Sequence, residues 1–179
     1  MNKLLRVFEN KVDRLREAFD FSDELKIDVK VLAKKMGLEV SAKSMPDDVS
    51  GLLVIEDSLG KIAYNRTNSK PRIRFTIAHE IGHYHLKHSR TGSLFIDQVS
   101  ITKYRNARSS AGTDWQEREA NAFAAALLMP RHLVKREYAR YSFDPFDVNN
   151  DDMEKMAKSF NVSKQAMAIR LSNLGYLAY

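Results

Sequence analysis

The chain contains no cysteine. Disulfides are therefore excluded, and so is any thiolate metal ligand. A metal bound here must rest on nitrogen and oxygen donors. Long hydrophobic runs are also missing. The longest, Ala122 to Met129, falls far short of the roughly 20 apolar residues a membrane helix needs. The segment from Met1 through Phe21 is broken by charge throughout and lacks the apolar run of a secretory signal. A cytoplasmic location with no membrane partner is the resulting expectation. Acidic residues are in the minority: 29 Lys and Arg stand against 23 Asp and Glu, for a net charge of +6. The sequence pI near 9.5 suits an anionic partner, either DNA or an acidic protein surface. Net charge speaks only to non-specific attraction. What remains is 179 residues at 44% hydrophobic content, enough to fill the core of one domain or one and a half.

The most informative run is His79-Glu80-Ile81-Gly82-His83, an HExxH motif. On an α-helix, residues four apart lie nearly above one another. His79 and His83 can therefore offer two imidazole nitrogens to one metal ion. Glu80 sits one residue further round, beside the metal, where a general base belongs. The segment Arg72 to Ala78 leads into the motif without a breaker, and Asn68 or Ser69 can cap the helix. Pro71 then falls in the first turn, where it is tolerated. Gly82, disfavoured in a helix interior, suggests that another backbone comes close.

Catalytic zinc usually takes three protein ligands. The extension that would add a third histidine six residues after His83 is excluded, because Leu86 and Ser89 hold its two positions. A carboxylate on a second helix is the expected source. Thr113 to Met129 reads as that helix, ended by Pro130. Thr113 with Gln116, or Asp114 with Glu117, would form a capping box. Ala120, Phe123, Ala124, Leu127 and Leu128 make its apolar stripe. Glu119 begins the stripe, and an inward carboxylate is costly unless paired or bound to metal, so Glu119 is the expected third ligand. Glu117, about 200° away round the helix, is expected to be solvated.

The segments Arg74 to His83 and Glu117 to Ala125, followed by Leu127-Leu128-Met129-Pro130, resemble the signature of the ImmA/IrrE-type metallopeptidases. Flanking stretches from Ile27 to Val40 and from Phe160 to Gly175 are similar to the family's opening and closing segments. One departure is Ala126, where many members carry an acid. The resemblance implies a zinc endopeptidase that clips a helix-turn-helix repressor encoded nearby, in a mobile element, prophage or stress regulon. It implies His79, His83 and Glu119 as metal ligands and Glu80 as base. Zn²⁺ is the expected cofactor, with Mn²⁺ the alternative, since metal supply as well as affinity decides.

The rest of the chain reads as mixed helix and strand. Leu4, Phe8, Val12, Leu15 and Phe19 predict an amphipathic helix over about 3–20. Asp28 caps a short helix that Gly37 ends, and Leu38 to Val40 is strand-like. Leu52 to Ile55 and Lys61 to Tyr64 predict a hairpin across Asp57 to Gly60. A peptide could pair with a strand at the cleft. Ser89 to Gly112 reads as a long polar loop, a flap that would offer Tyr104, Arg105 or Arg108. Tyr104 is the candidate oxyanion donor. His85, His88 and His132 lack ligand spacing to the pair. Asp144 to Asp151 is turn-rich and marks a boundary. Beyond it two helices, capped by Asp151 or Asp152 and by Ser163, form a helix-turn-helix-like pair, with Lys164, Gln165 and Arg170 as exposed polar residues. A packed helical hairpin is the favoured use of that pair over DNA binding.

The expectation is an α+β protein: a zincin-like core with a small antiparallel sheet over residues 1–142, and a C-terminal helix-turn-helix-like segment over 143–179. Two other classes stay open. One is a DNA- or protein-binding regulator with a non-proteolytic zinc site. The other is a toxin-antitoxin component acting by tight complex formation.

Overall fold

The computed structural model describes residues 3–56, 59–88, 94–98, 110–141 and 151–177. Its elements run α1 (Lys3–Ala18), α2 (Val29–Lys35), β1 (Glu39–Lys43), β2 (Val49–Glu56), β3 (Leu59–Asn65), α3 (Lys70–His85), β4 (Leu94–Gln98), α4 (Ser110–Leu128), α5 (Arg131–Tyr138), α6 (Asp152–Phe160) and α7 (Lys164–Leu174). The fold is α+β, and its described residues form two compact units, 28–124 and 1–27 with 125–179. The expected boundary at 142/143 falls among residues outside the described ones.

The unit of residues 28–124 is built on a four-stranded sheet of order β1-β3-β2-β4. The hairpin forms where the apolar runs put it, with Leu53 opposite Ile62 and Glu56 opposite Leu59. Its turn residues Asp57 and Ser58 lie outside the described residues. Along β2 every second residue, Gly51, Leu53 and Ile55, is buried, the period-two signature of a strand with one covered face. The sheet is mixed rather than antiparallel, because β1 lies parallel to β3. That pairing joins strands not adjacent in sequence, and a local reading has no access to it. Asp28 caps α2 as expected, accepting bonds from the backbone of Lys30 and Val31.

α3 packs on β2, β3 and α2. Residues Thr76 to His83 are buried without a break, so this helix is covered on all sides rather than on one stripe. Ser69 stands at its N-cap position without a side-chain bond to the first turn, and Pro71 follows in that turn. The polar stretch read as a continuous loop contains β4, which pairs with β2 through Leu52↔Ile96 and Leu53↔Phe95. Only three apolar residues signal this strand, and its partner lies some forty positions away. α4 begins at Ser110, so Thr113 and Asp114 lie within the helix and do not cap its start.

The unit of residues 1–27 and 125–179 is helical. Phe8, Val12 and Leu15 of α1 are buried, as are Leu127 and Leu128 of α4, Met156 and Phe160 of α6, and Met167 and Leu171 of α7. Two guanidinium groups are buried with them. Arg16 donates to the carbonyl of Leu127 at 2.8 Å and to that of Glu24. Burial pulls Arg16 down to about 10, against the opposing pull of Glu24, Asp13 and Asp23, so it remains charged at neutral pH. Arg170, expected on an exposed face, is instead 1% exposed. It donates through Nε to the Met129 carbonyl at 2.9 Å and pairs with Glu9 at 2.6 Å. Helical period alone placed Arg170 outside. The buried carboxylate of Glu9, 161 positions earlier, draws it in. Between α6 and α7 the chain turns through Asn161 in the left-handed region, and Ser163 caps α7 through Ala166.

Candidate metal centre

The site lies within the unit of residues 28–124 and is assembled by α3, the turn that ends it, and α4. His79, Glu80 and His83 are all buried, at 2%, 0% and 1% exposure. The one-turn spacing brings the two Nε2 atoms to 3.0 Å. Two neutral imidazoles that aim lone pairs at one point repel unless a proton or a cation lies between them. That arrangement is the one a shared cation needs.

A carboxylate completes the group, and it is Glu117. Its oxygens lie 3.1 Å from His79 Nε2 and 3.3 Å from His83 Nε2. Glu119, expected there, lies elsewhere: its Oε2 is 2.9 Å from His88 Nε2. The reason is angular. At about 100° per residue, the stripe Ala120, Phe123, Ala124 and Leu127 is flanked by Glu117 on one side and Glu119 on the other. Both acids border the buried face, and only the seat of α3 chooses between them. Gly82 lies at that seat. A Cβ there would lie 3.2 Å from the Phe123 ring and 3.3 Å from Ala120 Cα, so glycine lets the two helices close against each other. The close approach expected of Gly82 is present, and the Glu117 flank of α4 faces the histidines.

His79, His83 and Glu117 form a group that could hold a metal ion, each offering one ligand atom, all within 4.8 Å of one another. The donors around a tetrahedral zinc at about 2.0–2.1 Å lie roughly 3.3 Å apart. The spacings of 3.0 to 3.3 Å match that requirement. Burial alone would raise the Glu117 carboxyl, yet the hydrogen bonds and charges of His79 and His83 hold it well below the usual carboxylate range. An ionised, part-buried oxygen donor beside two imidazoles is the set a borderline-soft cation prefers.

The remaining ring nitrogens are engaged as well. His79 Nδ1 lies 3.0 Å from Asn121 Oδ1. Asn121 was not singled out from sequence, although it follows Glu117 at i+4 and so shares its flank. His83 Nδ1 lies 3.1 Å from His88 Nδ1. His88 lacks ligand spacing to the pair in the sequence, yet the fold brings it to His83. α3 ends at His85, and Lys87 turns through φ 57°. The His88 amide then donates to the His83 carbonyl and the Lys87 amide to the Tyr84 carbonyl, a Schellman turn that folds His88 back over His83. Burial pushes His88 below the ordinary histidine value, outweighing its bond to Glu119. His85 packs its ring against Phe123, and His132 bonds to the Ser22 carbonyl; neither belongs to the group. Tyr104, Arg105 and Arg108 lie outside the described residues. Against Glu80 lies β2: a Cβ on Gly51 would come 3.8 Å from Glu80 Oε1 and 2.3 Å from Thr76 Cγ2.

A buried HExxH helix, joined by a second-helix glutamate on a small mixed sheet, has the make-up of a metallopeptidase. The chain belongs to peptidase family M78, described as the IrrE N-terminal-like domain, whose sequence pattern matches residues 33–172. No curated protein matches the chain. Among the described residues no helix is long and apolar enough to cross a membrane.

Proposed function

We propose that this protein is a zinc-dependent endopeptidase with a zincin-like core, acting in the cytoplasm on a helix-turn-helix repressor encoded nearby. The convergence of His79, His83 and Glu117 beside the buried Glu80 carries this reading. Family membership supports a protein substrate, and the resemblance to ImmA/IrrE-type enzymes supplies the repressor. His79, His83 and Glu117 would hold the metal, with Zn²⁺ favoured and Mn²⁺ the alternative. When bound, the ion acidifies water and polarises the scissile carbonyl.

The chain's own residues do the rest. Glu80, one position from His79, takes a proton from the attacking water at its carboxylate and passes it to the leaving amine nitrogen. Its burial keeps bulk water from competing for that proton. Tyr104 is the candidate donor to the oxyanion. Zinc-loaded protein incubated with the repressor encoded by the neighbouring gene is expected to yield two fragments. Glu80→Gln should keep zinc while cleavage falls about 10²- to 10⁴-fold, the usual worth of a general base. An intact repressor held in a stable complex by the zinc-loaded protein would overturn the proteolytic reading.

A further inference from the structure

The histidine pair uses its Nε2 atoms toward Glu117 and toward each other, which leaves the Nδ1 atoms to be explained. An imidazole that gives one nitrogen to a metal carries its proton on the other. On the reading above, His83 Nδ1 is then a donor, and the atom 3.1 Å away, His88 Nδ1, must accept. That assignment fixes the His88 tautomer, because a neutral ring with a bare Nδ1 is protonated at Nε2. His88 Nε2–H faces Glu119 Oε2 at 2.9 Å, a carboxylate that can only accept. Every proton in the row has one consistent place. On the other histidine the order is shorter: His79 Nδ1–H donates to Asn121 Oδ1 at 3.0 Å.

From this order we infer that His88 and Glu119 are positioning residues, a two-step relay that orients His83 and raises its basicity toward the metal. Glu119 acts through His88 and does not itself touch the ion. The turn at Lys87 exists in the right place for this, since it is what returns His88 to the helix it has just left. His88 is 6% exposed and Glu119 21%, so the relay is shielded from water on the His83 side and open at the carboxylate end. The inference deepens the proposed metallopeptidase function and rests on it.

Zinc affinity, measured by chelator competition, tests the relay without reference to cleavage. His88→Leu and Glu119→Leu should each weaken zinc about 10- to 100-fold, the typical cost of losing an outer partner of a ligand histidine. The double variant should lose no more than the worse single, because the two residues act in series. His88→Gln, whose amide can accept from His83 and donate to Glu119, should recover most of the loss. Nitrogen NMR of the zinc-bound protein should find His88 protonated at Nε2. Should His88→Leu also lower the melting temperature of the metal-free protein, the part-exposed Glu119→Leu carries the test. Wild-type affinity in both single variants, multiplied losses in the double, or an Nδ1-protonated His88 overturns the relay alone. So does a loss in Glu119→Leu larger than that in Glu117→Ala, which would make Glu119 the ligand. A wild-type protein that binds neither zinc nor manganese overturns the proposed metal site itself.

Discussion

Gly51 illustrates how much a missing side chain decides here. It sits on β2 against α3. A methyl group in its place would meet Thr76 Cγ2 at 2.3 Å and the Ala63 carbonyl at 2.9 Å. The Ala63 contact is backbone and cannot swing aside, so Gly51→Ala must move strand or helix. A loss of about 1–3 kcal/mol in urea unfolding is expected. Cleavage should fall further than stability alone accounts for, because Glu80 rides on the displaced helix. Gly82→Ala meets its neighbours only at 3.2–3.3 Å, and alanine returns up to about 1 kcal/mol of helix propensity, so its urea midpoint should shift less than that of Gly51→Ala. At this scale the convergence of His79 and His83 was legible because their spacing is a helical turn. Glu117 was not, because it and Glu119 flank one stripe symmetrically. The place of His88 beside His83 was not, because it is set by the turn where the helix stops.

Helices and strands were mostly legible one by one. The caps at Asp28 and Ser163 are read directly from residues whose side chains accept the first free amides. The end of α3 was harder, since Lys87 takes a left-handed conformation usually left to glycine. Lys87→Gly should therefore stabilise by up to about 1 kcal/mol in thermal unfolding while leaving zinc affinity unchanged. α7 was placed correctly but faced wrongly, because Arg170 turns inward to Glu9 and the Met129 carbonyl. Arg170→Met strands a buried carboxylate and should cost about 3–5 kcal/mol. Glu9→Met combined with Arg170→Met should recover much of that loss, measured by chemical unfolding. Full recovery in the double variant would show that the pair confers no net stability; a loss confined to DNA binding would return Arg170 to the surface.

For the whole chain, the proposed metal site would couple ion binding to folding. A zinc ion that binds only the native centre stabilises it by about 2.7 kcal/mol at one hundred times its dissociation constant. Zinc should accordingly raise the melting temperature, EDTA should reverse the rise, and Glu117→Ala should abolish it; an unshifted wild-type melt would argue against a native metal site. What the sequence determined by itself was local: the helical spacing of the histidines, the caps, the period of the strands, the absence of thiolates. These depend on neighbours within a few residues, so the chain order displays them. The tertiary structure alone decided which glutamate faces the pair, that β1 runs parallel to β3, that β4 exists, and that Arg170 is buried. Each depends on a partner dozens of positions away, brought near by packing that no short window of sequence contains.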